Sequence, residues 1–485
     1  MRNPLPPVCF ADSPRDSGHP PDRSARRAMI ALLLPVALAL ALIPCAAPAG
    51  AAAEDPPGRR LILGGDLADR QARTETQAPG APLLCAEDGT SPGMPSRGGS
   101  NEYLWLDTSH LNAIAEEVAI TGDGAFGIVG WWLNNERTAL YEVSGDNLPE
   151  WTRAMPLADF QIRVDADEAG NALVSTARND SLYVFSAASP QPLHTGWYTD
   201  PRVGYGCAVS AGGDTYASVG GHPPGTAGGE IRVYDGGGAL RFKAMLSANP
   251  EGVAVSADGL VAAANTRTHV KVWDAVTGAL RDSVAIPGET QVAAVLSGDG
   301  GVLVTGGFSR RVWVHEWDGS DYVQAWSYLI PSTTWISALG ISRDGSTIAV
   351  GTWTNQNGGQ VLVFDRTIST PLWTDAGYGD WVAEVALTPD GGRIAAASWG
   401  RLGGSFGPIV SVYERRSATP IYTLGDDAIA GVGSCFSVDI SADGTAVLAG
   451  GKAVHAREMG SGGWVMAIDL GDPAGLVWTP GDARP

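Results

Sequence analysis

The chain has 485 residues, 44% of them hydrophobic, with a mean hydropathy near zero: enough apolar material for a large core and too little for a multi-span membrane protein. Acidic residues outnumber basic ones 52 to 32, the formal net charge is −20, and lysine occurs only at Lys243, Lys271 and Lys452. A phosphate backbone needs a basic surface, so nucleic acid is excluded as a partner, and the 64 glycines and 32 prolines mark a chain with many turns.

Residues 29–43, MIALLLPVALALALI, are an apolar run of signal-peptide length, preceded by Arg23, Arg26 and Arg27 and followed by PAGAAAED. Cleavage is expected after Ala51 or Ala53, so residues 1–53 read as a signal peptide, with Met29 as an alternative start. The run is short for a transmembrane helix and Pro35 interrupts it. LIPC at 42–45 approximates a lipoprotein box, but with Pro44 where a small residue belongs. Soluble export is the expectation, with an uncleaved anchor or a lipid anchor as alternatives. Residues 54–101, rich in Gly, Pro and Ala without a sustained period, read as a disordered linker.

From residue 102 a phrase of 40 to 55 residues repeats. EYLWLD at 102–107 is a strand with no unit of its own. Eight units follow. Each opens with an apolar run ending at a polar turn: EEVAITGDG (116–124), IRVDADEAG (162–170), CAVSAGGD (207–214), GVAVSADG (252–259), AAVLSGDG (293–300), ALGISRDG (338–345), EVALTPDG (384–391) and SVDISADG (437–444). Gly at the turn supplies positive φ and Asp bonds back to its own backbone, so each turn closes a hairpin; the third unit is irregular there. A third run alternates strictly, as in HVKVWD (269–274) and QVLVFD (360–365), the mark of a half-buried strand. A fourth run often carries Trp: PEWTRA, GWYTDP, QAWSYL, PLWTDA, PIYTLG and LVWTPG. Trp151, Trp326, Trp373 and Trp478 recur with the period, as packing residues do.

Each unit therefore supplies four short antiparallel strands. One such sheet cannot hide both faces from water, but copies stacked radially can. The expected fold is all-β: a single β-propeller over 102–485, with units near 112–155, 156–200, 201–246, 247–288, 289–330, 331–376, 377–427 and 428–485. Eight blades are expected, and seven plus one irregular unit is the alternative. EYLWLD either pairs beside the final blade to close the ring or adds to an outer edge. With their Ser-x-Asp-Gly turns, VKVWDAVTG (270–278) and VLVFD (361–365) resemble the WD-repeat and quinoprotein-like (YVTN-type) propellers, over about 102–480. The Gly-His pair that precedes the first strand in WD repeats is missing, which makes this a divergent relative. The resemblance speaks for the fold and not for one function.

In such a ring the Asp-Gly turns share one face and the loops between second and third strands share the other. That loop face gathers Trp131, Trp132, Trp335, Trp353, Trp381 and Trp399 as candidates to rim the channel mouth and bind a partner; packing between blades is the competing role. Lys452, His455 and Arg457, with Glu458, form the most polar loop and are candidate anion-binding or acid–base groups. Past the leader three cysteines remain, Cys85, Cys207 and Cys435; Cys207 reads as a core thiol, and the one pairing considered is Cys85 with Cys435. No metal-ligand spacing, nucleophile elbow or phosphate loop is present, and DADEAG at 165–170 is a hairpin turn before it is a calcium loop. The reading is an exported, non-catalytic propeller that binds a protein, peptide or glycan in the cell envelope or outside the cell, without a membrane span once the leader is removed. The alternative, implied by the resemblance, is a quinoprotein-like oxidoreductase with pyrroloquinoline quinone and calcium.

Overall fold

A computed structural model describes residues 103–471, except 133–136, 156–161, 178–180, 198–202, 222–227, 287–290, 332–333, 355–357, 404–406 and residue 461. The signal-peptide and linker segments, Cys85, and the LVWTPG run with Trp478 lie outside the described residues.

The described residues form 32 strands in eight four-stranded antiparallel sheets. After β1 (Tyr103–His110), blade one is β2 (Ile114–Ile120), β3 (Phe126–Trp132), β4 (Arg137–Glu142) and β5 (Trp151–Ala154). Blade two is β6 (Ile162–Ala166), β7 (Leu173–Ala177), β8 (Ser181–Ser186) and β9 (Ser189–Trp197); blade three is β10 (Val203–Val209), β11 (Thr215–Gly221), β12 (Gly229–Asp235) and β13 (Leu240–Leu246). Blade four is β14 (Gly252–Val255), β15 (Val261–Asn265), β16 (His269–Asp274) and β17 (Leu280–Ala285); blade five is β18 (Gln291–Leu296), β19 (Val302–Gly307), β20 (Arg311–Trp317) and β21 (Tyr322–Leu329). Blade six is β22 (Trp335–Ile341), β23 (Thr347–Trp353), β24 (Gly359–Asp365) and β25 (Trp373–Tyr378); blade seven is β26 (Val382–Leu387), β27 (Arg393–Ser398), β28 (Pro408–Glu414) and β29 (Tyr422–Gly425). Blade eight is β30 (Ser434–Ile440), β31 (Ala446–Lys452) and β32 (Gly463–Asp469), completed by β1 in the order β1-β32-β31-β30.

Eight blades are settled, and the ring closes through its N-terminal strand. β1 pairs with β32 from Tyr103↔Ile468 to His110↔Gly463. In blade two the fourth strand lies earlier than GWYTDP suggested: Ser186 already faces Ser189 across a tight turn, so Trp197 ends the strand instead of starting it.

The hairpin turns have a common chemistry. The hydroxyl of Ser256 donates to Asp258 Oδ1 at 2.6 Å, and Ser297, Ser342, Thr388 and Ser441 repeat the bond to Asp299, Asp344, Asp390 and Asp443. In the irregular third unit Ser210 reaches Asp214 at 2.7 Å, and Gly213, at φ 70°, takes the left-handed position.

Each blade junction holds its own apolar cluster. Between blades six and seven, for instance, it contains Ala349, Val361, Val363, Ile394 and Tyr413. Trp indoles tie the junctions from outside. Trp151 Nε1 donates to Ala187 O at 2.9 Å, Trp326 to Arg366 O at 2.5 Å and Trp373 to Arg415 O at 2.8 Å, always in the next blade. Trp105 of β1 donates to Val143 O at 3.0 Å in the same way, so the closing strand carries the fourth-strand tryptophan of blade eight. At the turn face, backbone bonds run from blade to blade, including Ala442 N to Gly122 O at 2.9 Å, which joins blade eight to blade one.

Candidate functional site

Two features meet along the channel axis: an aromatic cluster at the loop face and a band of carboxylates inside.

The aromatic cluster is made by register. Trp335, the first residue of β22, pairs with Trp353, the last of β23. One blade on, Trp399 N donates to Trp381 O at 3.0 Å across the matching end of β26 and β27. The rings follow one another in a file, Trp335–Trp353 at 4.7 Å and Trp353–Trp381 at 4.8 Å tilted, and Trp381–Trp399 at 5.2 Å stacked, between centroids. Phe436 extends the file at 5.8 Å from Trp399, and Phe308 meets Trp335 edge-on at 5.8 Å. Phe436 sits in the bulge between Cys435 and Ser437, where a strand can re-aim a side chain. Trp353, Trp381 and Trp399 are buried, while Trp335, Phe436 and Phe308 are half-buried.

Of the two roles expected for these tryptophans, rimming the mouth or packing between blades, the burial of Trp353, Trp381 and Trp399 corresponds to packing. The file is a buried platform, because rings from neighbouring blades cover each other's faces. Trp131 and Trp132 are not part of it. Trp131 is fully buried between blades eight and one, where its ring lies 3.9 Å from His110 and a Cβ on Gly463 would sit 2.4 Å from it. Trp132 is half-buried.

Residues 453–460, between β31 and β32, fold over the platform. Arg457 Nε donates to Asp380 Oδ2 at 2.7 Å and Nη2 to Oδ1 at 3.0 Å. Its guanidinium lies 5.6 Å from the Trp353 ring and 5.4 Å from the Trp399 ring, within cation–π range. His455 Nδ1 accepts from Arg457 N at 3.2 Å, which leaves Nε2 as the protonated nitrogen, 3.6 Å from Asp380 Oδ2; burial pushes the imidazole pKa down and favours the neutral form. Lys452 is buried with Nζ donating to Glu458 O at 2.7 Å, and burial lowers its pKa to about 8. Lys452 thus ties the loop to itself, while His455 and Arg457 join the platform. Asp380, wholly buried, gave no signal in its own short loop; only its position before Trp381 could have suggested it.

The channel below has two unlike sides. Glu117, Asp165, Glu384 and Asp439, from blades one, two, seven and eight, face a cavity of about 410 Å³ whose opposite wall is Val253, Val255, Val295, Leu339 and Ile341. The carboxylates satisfy backbone donors of the next blade: Glu117 accepts from Val164 N at 3.1 Å, Asp165 from Val209 N at 2.8 Å, Glu384 from Val438 N at 3.0 Å and Asp439 from Ile120 N at 2.9 Å. Burial raises their pKa values, to about 7 for Asp165 and for the adjacent Glu116, to about 6 for Asp439, and upward for Glu117 and Glu384, with Arg163 pulling both Glu116 and Glu117 back down. The sequence carried this signal in the acidic letters inside EEVAI, RVDA, AEVAL and SVDI, which the repeat reading passed over. Toward the turn face, an Arg343–Glu168 ion pair joins blades six and two across a second cavity of about 240 Å³.

Cys207 is half-buried with its thiol toward Arg163 O at 3.4 Å. Cys435 is enclosed in the core between blades seven and eight and donates to Ser437 O at 3.2 Å; its proposed partner Cys85 lies outside the described residues. Among the described residues no group of three or more His, Cys, Asp or Glu is placed to hold a metal ion, and none of the helix type needed to cross a membrane occurs. The quinone cofactor carries three carboxylates. Against them the lining of the 410 Å³ cavity sets four carboxylates and no Arg or Lys, so the residues present do not fit it.

The sequence matches no family model and no curated protein. Among solved structures, the chain is similar to the β-propeller domain of Cps50 (Swd1) from Myceliophteria thermophila, at 12% identity and a TM-score of 0.46, over 59% of this chain and 92% of that one. What the structure itself shows is an eight-bladed β-propeller, a fold compatible with a binding scaffold.

Proposed function

We propose that this protein is an exported, non-catalytic scaffold that holds a protein, peptide or glycan at its loop face, around the channel mouth. The observation that carries the reading is the convergence of rings from blades five to eight at that mouth, with Phe308, Trp335 and Phe436 left half-buried at the edges of the buried file. Half-buried aromatic side chains on a rigid support suit recognition, because little conformational freedom is lost on contact. Export rests on the leader-like residues 1–53.

The test is a screen of the purified chain against glycan and peptide arrays, repeated with Trp335→Ala and Phe308→Ala. A genuine loop-face ligand loses at least about tenfold in affinity with these variants, while Val323→Ala on the outer strand β21 changes nothing. Ligands that respond equally to all three substitutions, or to none, would refute the reading. The oxidoreductase alternative has no observation in its favour.

A further inference from the structure

The platform is built to take a cation, and the chain supplies that cation itself. Asp380 is wholly buried, and among the described residues its one charged side-chain partner comes from the loop of another blade, Arg457 at 2.7 Å, with the neutral His455 at 3.6 Å beside it. The guanidinium lies near two indole faces, those of Trp353 and Trp399. The fit is incomplete. Trp353 Nε1 and Trp399 Nε1 are both buried, and neither has a hydrogen-bond partner among the described residues. Buried N–H donors without acceptors are unfavourable, so an occupant that brings carbonyl oxygens to them improves on the present one. Among the described residues nothing covers the tip of the loop, where Met459 is 97% exposed.

We propose that Asp380, Trp353 and Trp399 form a receptor site for an arginine side chain of a partner peptide, and that the 453–460 strap fills this site with Arg457 when no partner is bound. The partner's guanidinium replaces that of Arg457 on Asp380, and its backbone carbonyls accept from the unpaired ring nitrogens. Displacement of the strap by a better-satisfied competitor needs only a difference in affinity between the two occupants. The chain's excess of 52 acidic over 32 basic residues favours the approach of a basic segment. This inference rests on the loop-face reading and names the ligand class for it.

The test uses the full chain and a blocked pentapeptide with a central arginine between glycines and serines; the same peptide with glutamine is the control. Calorimetry reports affinity, and amide exchange reports opening of residues 453–460. The arginine peptide is expected to bind Arg457→Ala at least about tenfold more tightly than wild type, since the internal competitor is gone. Arg457→Gln, which keeps the length of the side chain, gives the same result if the alanine variant folds poorly. Asp380→Asn added to either variant removes the gain. In wild type, saturating peptide raises exchange at 453–460. Equal affinity for wild type and the Arg457 variants, equal binding of the glutamine peptide, or a strap that stays protected at saturation overturns the proposal and makes Arg457 a permanent structural tie. A ligand from the screen that depends on Trp335 but ignores arginine and leaves the strap closed would sink this inference and spare the scaffold reading. Strap opening by the arginine peptide without any dependence on Trp335 or Phe308 would do the reverse.

Discussion

Trp381 is 1% exposed and touches a ring on either side, Trp353 and Trp399. Replacing such a residue removes packing as well as any contact with a ligand. Trp381→Ala and Trp399→Ala are each expected to destabilise the fold by ~3–5 kcal/mol in urea unfolding, with Trp335→Ala costing clearly less because its ring is half-buried. Similar losses for all three would mean that the file does not differ in burial from one end to the other. A turn residue gives a second check. Gly300 has φ 67°, and a Cβ there would lie 2.3 Å from Val261 Cγ2 of the neighbouring blade. Gly300→Ala combines a left-handed backbone with a clash, so a loss above ~1 kcal/mol is expected in the same assay; an unchanged midpoint would contradict the blade spacing described above.

Among the elements, β1 is the one whose place was least determined by its own letters. It follows no turn of the repeat, yet it fills the outer position of blade eight, and Trp105 makes the junction bond that Trp151, Trp326 and Trp373 make elsewhere. Removing residues 1–102 should leave thermal unfolding unchanged. Removing residues 1–110 takes away the closing strand, bares the edge of β32, and should lower stability by ~5 kcal/mol or more, about the worth of two or three buried side chains. Matched midpoints for the two truncations would show that the ring does not depend on this closure. The inner strands differ from each other in a similar way. Those of blades one, two, seven and eight carry inward carboxylates, while β14, β18 and β22 present Val, Leu and Ile to the same cavity.

For the whole molecule, the carboxylate band sets a dependence on pH. Glu116, Glu117, Asp165, Glu384 and Asp439 all have folded pKa values raised by burial, to about 7 for Glu116 and Asp165 and about 6 for Asp439. Between about pH 4 and pH 8 the folded protein holds protons that the unfolded chain releases, so rising pH favours unfolding in that window. The turn carboxylates Asp299, Asp344, Asp390 and Asp443 have lowered values, held there by hydroxyl and backbone donors against the opposing effect of burial. Their stabilisation is present above about pH 4 and is lost as pH falls below it. Two histidines lowered by burial, His315 and His455, oppose the first trend below about pH 6.5 but are outnumbered. The unfolding midpoint should therefore peak near pH 5 and decline toward pH 8, and Glu384→Gln with Asp439→Asn should flatten the decline. A midpoint that climbs from pH 5 to pH 8 would rule out the channel as the dominant titrating region.

The repeat, the four-strand unit and the turn were legible because their causes are local. Alternation of side chains decides which face of a strand is apolar, and a Gly that must adopt positive φ marks the hairpin wherever it stands. Cross-blade relations have no such local cause. Asp380 and Arg457 are 77 positions apart, and Asp439 meets the amide of Ile120 from 319 positions away. Spacing alone marked the tryptophans as sharing a face, but whether each ring met solvent or another ring was decided by the neighbouring blade. The same holds for closure: the letters of β1 specify a strand, and only the open edge of β32, brought round by seven preceding blades, specifies its partner.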